Sequence, residues 1–207
     1  MLRHASKLFW VSLVLLLAAC AARKIEMPSY EGRAFDEVLS EKSVVSEINT
    51  RFSILFEKNE TEIRGDAALD IWRAGDMSLR VYSLGFLAME LTSKDGAVRS
   101  DPALDRVKKM ILTRGLRDCL FWWDVRDFDL LDEKGSLLLK SAQREIWIDK
   151  KTFLPSRQTI YFEDGKELNI YYSEPANEND VWYQSKIRIE LAKYVVTLKI
   201  KSMSFKT

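Results

Sequence analysis

Histidine and cysteine are nearly missing from this chain. The single histidine, His4, lies at the start, and the two cysteines are Cys20 and Cys119. Without imidazole, the rest of the chain lacks the commonest general base and metal ligand. Charge of one sign is also missing, because 32 basic against 31 acidic residues leave a net of +1. Mixed signs in near balance give no electrostatic case for nucleic acid or an anionic membrane patch. No apolar run reaches the roughly 20 residues of a membrane-spanning helix. There is no internal repeat or low-complexity segment, and no sign of parallel-sheet crossovers, which argues against doubly wound nucleotide folds.

What is present starts with the amino-terminal segment. Arg3 and Lys7 precede an uncharged, mainly apolar run from Leu8 to Ala19, which ends in Leu17-Ala18-Ala19-Cys20. A positive flank, a short apolar core and small residues predict a secretory signal peptide over residues 1–19. The tetrapeptide looks like a bacterial lipobox. That likeness implies a diacylglyceryl group on Cys20 and an acylated amino terminus, the alternative being an ordinary signal peptide with a chance cysteine. A buried methylene contributes about 0.8 kcal/mol and two or more acyl chains anchor firmly, so the expected protein is tethered to a membrane rather than spanning it. Ala21, not aspartate, follows the cysteine; by analogy with proteobacterial lipoprotein sorting this implies the periplasmic face of the outer membrane. Loss of residues 1–19 takes Arg3 and Lys7 but no acid, turning the net charge to −1, and leaves 188 of the 207 residues, enough for one domain. With Cys20 lipidated, Cys119 stands alone, so neither a disulfide nor a cysteine metal site can form. It is expected as a buried structural thiol.

Residues 20–33, with Pro28, read as a tether, and residues 34–207 as the folded domain. Phe35, Val38, Leu39, Val45 and Ile48 fall near helical spacing and predict one helix from Phe35 to Ile48, with a break near Ser43. From Thr50 the period changes to two. Phe52, Ile54 and Phe56, then Ile63, Gly65, Ala67, Leu69 and Ile71, predict a hairpin with one apolar face. Gly65, Ala67 and Ala68 leave space where bulk is usual. Leu79 to Ser83 and Phe86 to Ser93 form a strand pair around Leu84-Gly85, with Leu87, Met89 and Leu91 sharing a face. Ala97 to Ser100 follows. Asp101 is the expected N-cap and Pro102 the first turn of a helical region carrying Leu104, Val107, Ile111 and Leu116, split at Gly115. Strands then resume at Phe128–Leu131, Ser136–Ile148, Phe153–Glu163, Glu167–Ser173, Gln184–Leu191 and Tyr194–Phe205, separated by turn signals such as Glu133-Lys134-Gly135 and Glu163-Asp164-Gly165. The fold class is therefore α+β, mainly β: an unclosed antiparallel β-barrel of about ten or eleven strands, its helices lying over the concave face to cover their own apolar stripes.

Two stretches carry a family resemblance. Leu79-Arg80-Val81-Tyr82-Ser83-Leu84-Gly85-Phe86-Leu87-Ala88-Met89-Glu90-Leu91 and Asp149-Lys150-Lys151-Thr152-Phe153-Leu154-Pro155-Ser156-Arg157 resemble segments of the LolA/LolB lipoprotein-carrier superfamily. The resemblance covers roughly residues 35 to 207 and is closer to the LolB branch, whose members are lipoproteins. It implies a helical lid over an apolar cavity for acyl chains, and a role in lipoprotein or lipid reception and transfer. The partners it implies are acyl chains of lipoproteins or lipids, the membrane, and a periplasmic carrier protein. It also implies a protruding loop, here Leu84 and Gly85, whose leucine helps place cargo in the membrane. The loop is shorter than in LolB and lacks the Asn-Pro pair before the leucine.

The candidate cavity residues are Phe52, Ile54, Ile63, Leu69, Leu87, Met89, Ile146 and Ile160; plain sheet core is the other reading of each. Phe121-Trp122-Trp123 suits a lid edge, a membrane interface or the core. No constellation of acids and bases suggests catalysis, and no cofactor is implied. The acidic run Asp124, Asp127, Asp129 and Asp132 lacks the central glycine and terminal glutamate of a calcium loop. Lys199 and Lys201 read as a solvated face. The non-enzymatic alternative to a carrier is a structural lipoprotein that uses the half-barrel as a docking module, in which case bulky side chains should fill the concave face.

Overall fold

The computed structural model describes residues 27–29, 33–59 and 61–207. The expected signal peptide, Cys20 and most of the tether lie outside the described residues. Helix α1 (Phe35–Ser43) is followed by β1 (Glu47–Lys58), β2 (Thr61–Trp72), β3 (Met77–Ser83), β4 (Phe86–Lys94) and β5 (Ala97–Asp101). A helical segment comes next, made of α2 (Arg106–Met110), a π-helical turn (Ile111–Gly115) and α3 (Leu116–Leu120). The remaining strands are β6 (Asp129–Glu133), β7 (Ser136–Ser141), β8 (Arg144–Asp149), β9 (Pro155–Tyr161), β10 (Glu167–Glu178), β11 (Val181–Leu191) and β12 (Tyr194–Lys206).

All twelve strands form one sheet in the order β5-β4-β3-β2-β1-β12-β11-β10-β9-β8-β7-β6. Two antiparallel meanders are thus joined along β1 and β12, from Glu47 opposite Lys206 to Lys58 opposite Tyr194. Strands β5 and β6 end the order without meeting, so the sheet is unclosed, as its alternating pattern predicts. In β1 the buried residues are Ile48, Thr50, Phe52 and Ile54, on a period of two, and β12 keeps that period through Tyr194, Val196, Leu198 and Ile200 before the bulge opposite Arg51 and Phe52 shifts it to Met203.

Local structure departs from expectation at four points. Val45 and Ile48 leave the helix, which ends at Ser43, and Ile48 is instead an inward residue of β1. Asp101 closes β5; the N-cap is Asp105, whose carboxylate accepts the Lys108 N–H at 2.9 Å. Gly115 does not split the helical segment, because a π-helical turn carries the chain through it into α3. The twelfth strand comes from the run Ser136–Ile148, which folds back at Ala142-Gln143, a turn without glycine or proline.

The helical segment lies on the inner face of the sheet. A Cβ on Gly115 would stand 3.4 Å from Leu168 and 3.5 Å from Ile189, so this turn rests on β10 and β11. Ile111, Leu116, Cys119 and Phe121 are fully buried there, and Trp122 and Trp123 are 3% and 4% exposed. The aromatic trio therefore belongs to the core and not to a membrane interface. Arg144, facing inward from β8, fastens the end of this segment: it donates to the carbonyls of Asp118 (2.8 Å), Trp122 (3.3 Å) and Asp124 (3.4 Å) and to Gln158 Oε1 (3.1 Å). A cation on the last carbonyls of a helix also suits its dipole.

Helix α1 docks beside this cluster, with Phe35 edge-on to Phe153 at 5.4 Å. Lys42 is 7% exposed. Its ammonium donates to the Trp182 carbonyl (3.1 Å) and lies over the rings of Trp122 and Trp123. Burial pushes the Lys42 pKa down from 10.5 to about 8, with nearby Glu41 opposing. Between those values the unfolded chain holds a proton that the folded chain has lost, so this residue makes stability rise with pH. Lys42→Met should therefore gain stability below pH 8, by about 1–3 kcal/mol once the lost cation–π contacts are offset. The gain should shrink toward pH 10.5, as read from the difference between wild-type and variant urea unfolding at each pH.

Candidate functional site

The inner face is filled unevenly. Under β8 to β11 the helical segment rests on Leu168 and Ile189, and Ile146 and Ile160 are fully buried in the same core cluster as the aromatic trio. Under β1 to β4 the cover is thinner, and an apolar cavity of about 200 Å³ remains. Its sheet wall is Ile54 and Phe56 of β1, Ile63 and Gly65 of β2, Val81 of β3, and Ala88 and Met89 of β4. The opposite wall is Pro102 and Leu104 of the linker, Lys108 of α2 and Leu112 of the π-helical turn. A larger depression beside Arg106 and Arg114 is lined mainly by polar and charged groups.

Two sequence features shape this cavity. Gly65 permits a close approach of β2 and β3, since a Cβ there would lie 2.5 Å from the Tyr82 carbonyl oxygen. A bulge in β4 then sets which side chains face inward. Val81 pairs with Met89, but Tyr82 pairs with Leu87, leaving Ala88 as the extra residue. Ala88 and Met89 both line the cavity, and Leu87 is turned to the outer face with Tyr82.

Of the expected cavity residues, Ile54, Ile63 and Met89 are brought together at the cavity. Phe52, Leu69, Ile146 and Ile160 are at most 1% exposed and serve as packed core. Leu87 is 55% exposed; the predicted face shared with Met89 and Leu91 is broken by the bulge. Sequence reasoning missed Phe56, Val81, Ala88, Leu104, Lys108 and Leu112. Phe56 continues the period of Phe52 and Ile54 and was legible; Ala88 depends on the bulge and was not.

The protruding loop is a tight hairpin turn. Leu84 and Gly85 both have positive φ, 51° and 83°, and Leu84 is 95% exposed. Phe86 and Leu87 beside it are also exposed, as is Ile63 at the cavity wall. An apolar tip therefore projects into solvent next to the cavity.

One end of the cavity is charged. Lys108 Nζ lies over the Phe56 ring at 5.7 Å and 3.7 Å from Asp105 Oδ2. Tyr194 packs on Phe56 at 5.6 Å, donates its hydroxyl to Asp105 Oδ2 (3.1 Å), and carries Lys58 Nζ over its ring at 5.2 Å. The backbone N–H of Lys108 does most to hold the Asp105 carboxyl below its usual range, helped by Tyr194 and both lysines against partial burial.

Elsewhere the polar groups are structural. Burial pushes the Asp124 carboxyl up, but Arg73 and Arg117 outweigh it and hold it low. Asp132 pairs with Lys150, so the acidic run does not converge on one point. Among the described residues no group of three or more His, Cys, Asp or Glu could hold a metal ion. Cys119 is buried, with Sγ 3.2 Å from the Leu116 carbonyl, and burial pushes its thiol pKa up. Lys199 and Lys201 are exposed, as expected.

The fold has solved relatives. A LolA-superfamily protein from Nitrosomonas europaea superposes with a TM-score of 0.61 at 11% identity, covering 85% of this chain and 95% of that one. A DUF1329-family protein from Desulfovibrio piger gives 0.54 at 11% identity, covering 88% and 95%. At such identity the likeness is one of fold. No family model matches the chain, and no curated protein matches it in sequence.

The close approach at Gly65 is testable. Gly65→Ala forces β2 and β3 apart and should cost about 1–3 kcal/mol in urea unfolding, accompanied by a larger cavity mouth and faster amide exchange in β3.

Proposed function

We propose that this protein is an envelope lipoprotein that receives or transfers acyl chains of lipoproteins or lipids, as a LolB-like member of the LolA/LolB superfamily. The observation that carries the reading is the apolar cavity left open between β1–β4 and the linker to α2, with exposed Leu84, Phe86 and Leu87 beside it. Exposed apolar side chains on a hairpin tip cost solubility and mark a surface that meets membrane or another apolar partner. An acyl chain passing from one apolar site to another loses and regains about 0.8 kcal/mol per methylene, so transfer is nearly isoenergetic although passage through water is not. At about 200 Å³ the cavity is below the ~300–1,000 Å³ of ordinary ligand sites. It accommodates part of a chain, and the rest requires the Pro102–Leu104 linker to move off the sheet.

In this reading residues 1–19 are a signal peptide, Cys20 carries the lipid, and the domain hangs from the periplasmic face of the outer membrane by residues 20–33. A periplasmic carrier protein delivers the cargo, and no catalytic step is involved. The filled inner face under β8 to β11 is what a docking module would show; the open end under β1 to β4 is what a carrier needs.

The full chain carrying Cys20→Ala should copurify with amphiphiles detectable by mass spectrometry and take up cis-parinaric acid methyl ester. Ala88→Trp, which fills the cavity from the bulge, should weaken uptake at least about tenfold while leaving thermal stability close to that of the parent. Absence of both bound lipid and uptake would leave the docking reading. Phe86→Glu at the tip should reduce binding to phospholipid vesicles without changing uptake.

A further inference from the structure

We infer that the cavity selects single acyl chains bearing an anionic head group, which sits between Lys58 and Lys108. This deepens the acyl-chain reading and rests on it. The walls recognise a hydrocarbon chain and say nothing about its polar end; the information lies at the rim. There Phe56, itself a wall residue, makes an aromatic pair with Tyr194, and each ring carries one ammonium, Lys108 at 5.7 Å and Lys58 at 5.2 Å.

One carboxylate faces the two cations. Asp105 Oδ2 is 3.7 Å from Lys108 Nζ and accepts from the Tyr194 hydroxyl, while Oδ1 accepts the Lys108 N–H. Asp105 is therefore occupied as the N-cap of α2 and balances one lysine. Lys58 makes no ion pair within 4 Å with the described carboxylates, and both lysines are only partly buried. Among the described residues the rim thus sets two ammonium groups against one carboxylate on a half-apolar floor, next to the opening of a hydrocarbon-lined space. An ammonium there has hydrogen-bond donors to spare, and a charge-assisted bond to an anion is stronger than a neutral one. Arg144 and Lys42, the deeply buried cations, differ in this respect, because backbone carbonyls already engage them.

A carboxylate of a free fatty acid and a phosphate of a single-chain phospholipid share this chemistry. The test compares cis-parinaric acid with its methyl ester, bound to the full chain carrying Cys20→Ala, and competes the ester with palmitate or with lysophosphatidylglycerol. The acid should bind about three- to tenfold more tightly than the ester at low salt, and the gap should close as salt is raised toward ~1 M. Lys58→Gln/Lys108→Gln should lose the gap, so that acid and ester bind alike, and Lys58→Arg/Lys108→Arg should retain it. The stronger competitor identifies the source of the anion.

Equal binding of acid and ester by the parent would overturn the head-group inference while leaving the cavity reading intact. Failure of both probes would overturn the cavity reading itself. A gap that survives in the glutamine variant, or that is lost in the arginine variant, would overturn the assignment to these two side chains.

Discussion

The sheet is wider than anything the chain provides to cover it. Twelve strands spaced ~4.8 Å apart are about 50 Å across when laid flat. The helical segment from Arg106 to Leu120 is roughly 20 Å long. Curling brings the inner face together but cannot make one short lid reach all of it. The segment settles on β10 and β11, where Gly115 allows contact with Leu168 and Ile189, and α1 adds cover beside Phe153 and the tryptophans. The strands farthest from that contact are faced by the Pro102–Leu104 linker, the near side of α2 and Leu112 of the π-helical turn. The cavity follows from this shortage of cover, and its position at the β1–β4 end follows from where the lid is fastened.

That fastening is polar. Arg144 is a costly residue to bury, and it is retained by four oxygen acceptors, three of them main-chain carbonyls at the end of the helical segment. Tyr172 adds its hydroxyl to the same Gln158 Oε1 at 3.0 Å. The network holds the lid against one half of the sheet and leaves the other half free to differ. The buried cations Arg144 and Lys42 are thus satisfied by backbone in the interior, whereas Lys58 and Lys108 at the rim can still take a partner.

Much of this was readable from residues alone. Period-two alternation in Phe52–Ile54–Phe56 and Val196–Leu198–Ile200 marks one-sided strands, and a succession of such strands without crossovers requires an antiparallel sheet. Turns with glycine, such as Gly96 and Gly165, were visible for the same reason. The turn at Ala142-Gln143 was not, because its four-residue stretch contains no residue that forces a reversal. The cavity was harder still. Inward-facing strand residues look alike in sequence whether a helix lies on them, as on Leu168 and Ile189, or a cavity does, as at Ile54 and Met89; the distinction is made by distant residues. A bulge is equally silent, and here it moved Leu87 off the face that simple alternation assigned to it. Lys108 was passed over because a lysine on a short helix ordinarily faces water.

The seam between β1 and β12 has a consequence for how the molecule is made. Glu47 and Lys206 are 159 positions apart, yet they are neighbours in the pairing that unites the two meanders. Each meander can collapse from local contacts, but the union must wait for the strand most remote in sequence, after a long search with a large loop-closure entropy. Until then the edges of β1 and β12 that will face each other are unpaired, and the oily inner surface is on display. A chain of this topology crosses its most aggregation-prone stage just before completion, which favours an escort during its maturation.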